Sequence, residues 1–284
     1  MSASNAAAAG RLNGLVALVL GGGAAGPLGD DARLMGNGRA ISLRLASEGA
    51  MVVVADSSLE SAMATVEEIE RRGGVGSSVH FEATDPTSCR EVVTIAASAQ
   101  GRLDVVVCNV GVHGNQRFRH QTVEDWDRSF DINARSHFLV AQAAVEPMLT
   151  NGGGSFIFVA STAAERSSGT SVAYEASKAA QLAIMRHLAV RYGARGIRSN
   201  AIVLGVIDSA MVRELFADDE RAHAMRAGMT PMGREGTPEE VGAVAAFLAG
   251  PDASYINGAA LPIDGGMGAL SPALRTRSDA GGHV

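Results

Sequence analysis

Residues 15–26 read L-V-A-L-V-L-G-G-G-A-A-G. The first six are apolar without a break, and the run stops at Gly21-Gly22-Gly23. This is the pattern of a strand buried on both faces that enters a tight glycine turn. Outward from it the chain alternates. Apolar spacing predicts a helix over 38–48 closed by Gly49, then a second buried strand over 51–55 closed by Asp56. An amphipathic helix follows over 61–72, stopped by Gly73-Gly74, and a brief third strand over 79–81. A helix over 88–100, a strand over 103–108 and a long helix over 123–149 come next. A strand over 155–160, a helix over 174–192 and a strand over 197–204 complete most of the sheet. A polar, Met-bearing segment over 208–234 leads to a helix over 238–248 and a last strand over 260–263. Continuous apolar strands separated by helices predict an α/β fold, a doubly wound parallel sheet of about seven strands with helices on both faces.

The bulk figures agree. The chain has 284 residues, 46% of them hydrophobic and 19% charged, enough to bury a large core without staples. No linker-like stretch divides it, so a single domain is expected over 11–270, between a mobile arm at 1–10 and a mobile tail at 271–284. A net charge of -6 with no basic run argues against nucleic acid as a partner. Cys89 and Cys108 stand alone, which suggests buried thiols in a reducing cytosol rather than a disulfide or a metal site. The first ten residues lack the basic and apolar parts of a signal peptide, and no apolar run reaches membrane-spanning length. A soluble, cytoplasmic protein is expected.

In a sheet of this kind a ligand binds beyond the carboxyl ends of the strands. The glycine-rich stretch 21–26 has a strand before it, a helix after it and an acid at the end of the next strand, the setting of a dinucleotide-binding turn. The helix opens late, however, at Gly36-Asn37-Gly38-Arg39, so residues 27–35 split the turn. Asp56 can accept hydrogen bonds from both ribose hydroxyls of NAD and repel the extra phosphate of NADP, and neither Ser57 nor Ser58 supplies a compensating cation. The alternative is that Asp56 only caps the following helix.

Ser161 ends the fifth strand. Thirteen residues later comes Tyr174-Glu175-Ala176-Ser177-Lys178, which places Tyr174 and Lys178 a turn apart on one helix face. A phenol holds its proton to a pKa of about 10. A nearby ammonium and a positive nicotinamide ring would lower that and make it a usable acid/base. The bare pair is common by chance, and alone it reads as a half-buried Tyr beside a solvated Lys.

Several motifs occur together and in order: the split glycine turn with G-N-G-R-A-I, Asp56, C-N-V-G at 108–111, Asn133 in D-I-N, Ser161, Y-E-A-S-K at 174–178, L-G-V-I-D-S at 204–209 and I-D-G-G at 263–266. On these the chain, over roughly 15–268, resembles the short-chain dehydrogenases/reductases of the single-domain branch, which have a Rossmann-type fold. The resemblance implies that Tyr174 is the general acid/base, that Lys178 lowers its pKa and binds the nicotinamide ribose, and that Ser161 hydrogen-bonds the substrate oxygen. Asn133 would hold a water linking Lys178 to solvent. Gly21, Gly36, Asn37, Gly38, Asp56, Glu82, Ala83, Asn109, Gly111, Val206 and Ser209 would join Tyr174 and Lys178 around the cofactor, NAD rather than NADP. The implied activity interconverts a secondary alcohol and its ketone by hydride transfer, on a small hydrophobic substrate, with no metal, in a homo-oligomer (tetramer or dimer). An NADPH-dependent 3-ketoacyl-type reductase and a non-catalytic NAD-binding regulator are the alternatives.

The chain departs from the family pattern at several places. Leu20 replaces a Thr whose hydroxyl would brace the region of Asn109, Cys108 and Leu204 replace an Asn and a Pro, and Glu82 replaces an Asp at the adenine amino group. The insertion over 27–35 reads either as a flap, with Arg33 or Arg39 on phosphate oxygens and Asp30 and Asp31 opposing NADP, or as a surface bulge. Met211, Val212, Leu215, Phe216, Met225, Met229 and Met232 would line a hydrophobic pocket or pack the inside of its cover. His113 lines the pocket or is simply exposed. Trp126 and Phe130 belong to a subunit interface or to the core.

Overall fold

The computed structural model describes residues 10–23, 35–114, 118–215 and 219–270. The expected N-terminal arm (except Gly10), the C-terminal tail, most of the 27–35 insertion with Asp30, Asp31 and Arg33, and Phe216 lie outside the described residues, as does the Leu215 side chain. Seven strands are β1 Val16–Leu20, β2 Met51–Asp56, β3 Val75–His80, β4 Val105–Cys108, β5 Gly154–Ser161, β6 Ile197–Leu204 and β7 Ala260–Ile263. They form one sheet in the order β3-β2-β1-β4-β5-β6-β7, with every pairing parallel. This is a Rossmann-type, doubly wound α/β fold.

The unbroken apolar strands have the expected cause. In β1, Val16, Leu18 and Leu20 enter one buried cluster, while Ala17 and Val19 enter a second. Successive strand residues face opposite sides, so a strand covered on both sides must be apolar at every position. The first cluster is closed by α3 Pro86–Ala99, α5 Ser136–Thr150 and α6 Val172–Tyr192. The second is closed by α1 Asn37–Ser47, α2 Leu59–Arg71 and α9 Pro238–Ala249. β1 lies between β2 and β4, so the connections leaving β1 and β4 diverge to opposite faces. That opens a crevice at their carboxyl ends, next to Gly21 and Asn109.

Two expectations need correction and one needs refinement. The third strand runs over Val75–His80, not 79–81. Gly73, at φ +81°, turns the chain at once, and Val75 already pairs with Met51. As an edge strand it is only partly buried, so its V-G-S-S-V-H carries little apolar signal. The segment over 123–149 is helical throughout, but a wide π turn, Asp131–Arg135, divides it into α4 Val123–Phe130 and α5. Such turns disturb the helical ladder and are frequent at functional sites. Finally, the segment after β6 contains two short helices that its polar composition did not signal, α7 Ala210–Leu215 and α8 Glu220–Ala227.

Candidate active site

The crevice is built first from glycines. Gly21 has φ +68°, and a Cβ there would lie 2.9 Å from Val110 Cα. A Cβ on Gly38 would lie 1.8 Å from the Gly21 carbonyl oxygen, so α1 can approach the turn only without a side chain at that position. The hydroxyl missing at Leu20 is compensated from the other side: Asn109 Nδ2 donates to Gly21 O at 2.9 Å. Asp56 Oδ2 accepts from Gly23 N at 3.0 Å, and Oδ1 accepts from Ser58 N at 3.0 Å. The cap of α2 is Ser58, whose hydroxyl accepts from Ser61 N, so Asp56 is not spent on capping. A carboxylate has about four acceptor positions, which leaves Asp56 able to take ribose hydroxyls.

Arg39 is held by Thr65. It is 0% exposed, with Nε donating to Thr65 Oγ1 at 3.0 Å, and Thr65 in turn donates to Gly22 O. Burial pushes its guanidinium below the usual arginine range, opposed by Glu68 and Asp56. Beyond Asp56 lies a cavity of about 310 Å³, walled by Asp56, Glu82, Ala83, Val110, Gly111 and Ile132 among others. An adenosine fits this setting, with an acid at one wall and apolar side chains around it. Glu82 lines the same cavity, and its Oε1 accepts from Thr84 N at 3.0 Å and Thr84 Oγ1 at 2.8 Å. Those two bonds hold its carboxyl below the ordinary range.

The second half of the crevice is built where β5 ends beside α6. Ser161 Oγ accepts from Ala163 N at 3.2 Å. Ser171 caps α6, accepting from Tyr174 N at 3.4 Å. One turn on, Lys178 is 5% exposed, the only lysine in the 284 residues, and its Nζ donates to Val159 O at 3.0 Å. That Nζ lies 5.8 Å from the Tyr174 ring centre. Burial pushes the Lys178 ammonium down to about 8. The expectation that Lys178 depresses the Tyr174 phenol is not met in the protein alone. Burial raises the phenol, and the hydrogen bond with Ser161 opposes it.

Asn133 sits on the π turn and is fully buried. Its Oδ1 accepts from Val112 N at 2.8 Å, and its Nδ2 donates to Val112 O and Ser177 Oγ, each at 3.0 Å. It therefore fastens the loop after β4 to α6, rather than offering its amide to solvent. A Cβ on Gly111 would lie 3.2 Å from Asn133 Oδ1 and 3.4 Å from Lys178 Nζ, so these three meet around a position with little room to spare. His113 is half-buried, its ring centre 4.6 Å from that of Tyr174 and tilted by 43°. After β6, Val206 O accepts from Gly236 N at 3.0 Å, and Ser209 is buried in the turn that opens α7.

Comparison with known proteins decides the family. Residues 32–268 match the family model described as enoyl-(acyl carrier protein) reductase. The chain is 33% identical over 257 residues to the 3-oxoacyl-(acyl-carrier-protein) reductase of Thermotoga maritima, covering 90% of this chain and 99% of that one. The chain belongs to the short-chain dehydrogenase/reductase family. A cyclopentanol dehydrogenase from a Comamonas species is 34% identical over 257 residues, covering 90% and 98%. Among solved structures, a 7α-hydroxysteroid dehydrogenase complexed with NADH and 7-oxo glycochenodeoxycholic acid superposes with a TM-score of 0.82 at 30% identity, covering 90% of this chain and 95% of that one. As a member of this family the protein is an oxidoreductase acting on CH–OH groups with a nicotinamide cofactor.

In this short-chain dehydrogenase/reductase the segment after β6 is tied down by ion pairs that sequence reading missed. Arg213 pairs with Asp208, and Arg226 Nε donates to Glu235 Oε1 at 2.6 Å. His223 Nδ1 lies 2.6 Å from Glu235 Oε2. Asp208, His223 and Glu235 bring potential ligand atoms within 4.8 Å of one another, but both carboxylates already face arginine. Met211, Met225 and Met232 are exposed, not packed beneath the cover. Trp126 stacks on Phe130, ring centres 4.8 Å apart, and is 39% exposed. Ser177 was also missed. It is fully buried, accepts from Asn133 and donates to Tyr174 O at 2.8 Å. Its only signal was a small polar residue one position before Lys178. Cys89 and Cys108 are free and buried as expected, with burial raising both thiols. No helix among the described residues is long and apolar enough to cross a membrane.

Proposed function

We propose that this enzyme is an NAD-preferring dehydrogenase that interconverts a secondary alcohol and its ketone, with Tyr174 as the proton-transfer group. The observation that carries the reading is the convergence of Ser161, Tyr174 and Lys178 at the end of β5 and the start of α6. The NAD preference rests on Asp56, which keeps acceptor capacity beside the adenosine-sized cavity and would repel a phosphate on the ribose.

A nicotinamide bound in the crevice supplies or accepts the hydride. The chain's own groups handle the proton. Tyr174 Oη takes the hydroxyl proton of an alcohol, or returns it to a ketone oxygen. Ser161 Oγ donates to that same oxygen and steadies charge developing on it. Lys178 is charged below its pKa of about 8, and together with a positive nicotinamide ring bound beside it would favour the phenolate form of Tyr174. Asn133 keeps the loop from Asn109 to Val112 against α6, so the wall of the site is rigid. The rival reading, an NADPH-dependent 3-ketoacyl-type reductase, draws on the Thermotoga maritima relative, and Asp56 weighs against it. A non-catalytic regulator would not need the whole proton-transfer set.

The test is a panel of cyclic, aryl and steroidal secondary alcohols with NAD and with NADP, read by absorbance. NAD is expected to be preferred, and Tyr174→Phe is expected to reduce turnover by about 10²–10⁴-fold. Turnover unchanged in Tyr174→Phe would refute the mechanism, and a preference for NADP would refute the role of Asp56.

A further inference from the structure

Glu175 has no part in the mechanism above, yet it follows Tyr174 directly on α6. Ser161 and Tyr174 are joined through the segment 162–173. That segment leaves the carboxyl end of β5, the edge of the sheet where a ligand binds. After the single turn Thr162–Ala164 the chain swings outward, and residues 165–170 are all exposed. At its tip Gly169 has φ +70°, and a Cβ there would meet nothing within 4 Å. Burial therefore does not hold this stretch in place.

The Glu175 carboxylate does. Its Oε1 accepts from Ser168 N at 2.9 Å and from Ser168 Oγ at 3.1 Å. Against the cost of burial, hydrogen bonds from Ser167, Ser168 and Gly169 keep its carboxyl below the usual range, so it is ionised at neutral pH. Within the stretch, Gly169 N donates to Ser167 Oγ at 3.0 Å, and the hydroxyls of Ser168 and Thr170 lie 2.7 Å apart. What Glu175 grips is thus already tied together. On the other side, a Cβ on Gly268 would run into Arg166 Nη1, which places Arg166 against the turn Met267–Ala269 that follows β7. The stretch therefore runs from α6 to that turn.

The reacting pair is placed independently of it. Ser161 is fixed by pairing with Leu204 in β6, and Tyr174 by α6 with its Ser171 cap. Loss of the anchor leaves both where they are and loosens what lies beside them.

On the reading that Ser161 and Tyr174 hold the reacting oxygen, we propose that Glu175 is a positioning residue that anchors residues 167–169 to α6 and so fixes one wall of the substrate site. A fixed wall acts on substrate and transition state alike, so its contribution falls on KM rather than kcat. A carboxylate in the first turn of a helix also meets the helix dipole favourably, but that effect needs its charge, not an acceptor within reach of Ser168.

Glu175→Ala and Glu175→Gln in the full-length protein separate the two. Gln keeps an oxygen that can accept from Ser168 and loses the charge. Trypsin cleavage of the Arg166–Ser167 bond, followed by mass spectrometry, reads the anchor. KM for the best alcohol of the panel reads the wall, and the NADH dissociation constant reports that each variant is folded. In Glu175→Ala, cleavage is expected to be about tenfold faster and KM about tenfold higher, with kcat and NADH affinity little changed. Glu175→Gln should restore most of both. Ser168→Ala, which removes one of the two donors and leaves α6 untouched, should move both readings the same way by less. Cleavage or KM unchanged in Glu175→Ala, a loss confined to kcat, or Glu175→Gln as impaired as Glu175→Ala overturns the proposal. Failure of the dehydrogenase reading has a separate signature: no turnover of any alcohol by the unmodified enzyme, in which case the cleavage rates still decide the anchor.

Discussion

Lys178 shows what burial does to a single side chain. An ammonium at 5% exposure with one carbonyl partner is poorly solvated, so its pKa falls from 10.5 to about 8. The sign for stability follows. Between pH 8 and 10.5 the unfolded chain binds more protons than the folded one, so this residue makes the protein more stable as pH rises through that window. Because no other lysine is present, protein labelled with ¹⁵N-lysine should give one ε-amino resonance. Its titration midpoint is expected near 8, and a midpoint near the ordinary 10.5 would contradict the buried setting. Tyr174, Lys178 and Ser161 were picked out in sequence by several family-like motifs occurring together and in order, since the four-residue spacing of Tyr174 and Lys178 alone is common by chance. The partners were not. Val159 O reaches Lys178, and Ser177 reaches Asn133, only because β5 and the π turn lie against α6, and no local spacing encodes that.

At the scale of elements, the junction of β1 with α1 bears the tightest constraint. Gly38→Ala would drive a methyl group into the Gly21 carbonyl, 1.8 Å from the ideal Cβ, and toward Asn109 Nδ2 at 2.6 Å. Backbone atoms cannot swing aside, so a loss of about 3 kcal/mol or more is expected, with a large rise in the NADH dissociation constant. Gly101→Ala is the control. Its φ is +69° but nothing lies within 4 Å, so strain alone acts, about 1 kcal/mol. Thermal melts and fluorescence titration of NADH read both, and equal effects would show that the crowding at Gly38 does not matter. Most elements were legible from apolar runs bounded by glycine. The exceptions share a cause: their stabilising contacts are distant in sequence. β3 depends on pairing with β2, and the break before α5 depends on Asn133 reaching Val112. The covering helices α7 and α8 are fastened by ion pairs of Asp208 and Glu235, not by an apolar stripe.

At the scale of the molecule, acidic side chains set the response to low pH. Glu48 is held below its usual range by Arg11 and Arg44 against the cost of burial, Glu68 is at about 2 through Arg71 and Arg72, and Glu240 is lowered by Arg234 and the cap of α9. Each carboxylate is depressed in the folded state. Its contribution is present above the unfolded value of about 4.5 and is lost as pH falls toward 2. Urea unfolding at pH 7, 4.5 and 3 should show little loss over the first interval and a steep loss over the second. Glu68→Gln should flatten the second, and a flat profile in the unmodified protein would contradict these pairings.

The solitary lysine also governs how this protein meets amine-directed chemistry. Its side chains carry guanidinium groups in place of primary amines everywhere but at Lys178, so reagents specific for primary amines find nothing on the outer surface to modify apart from a terminal amine. Any such reagent that does react with a side chain must first reach the floor of the crevice, and the adduct count and the loss of turnover become the same measurement.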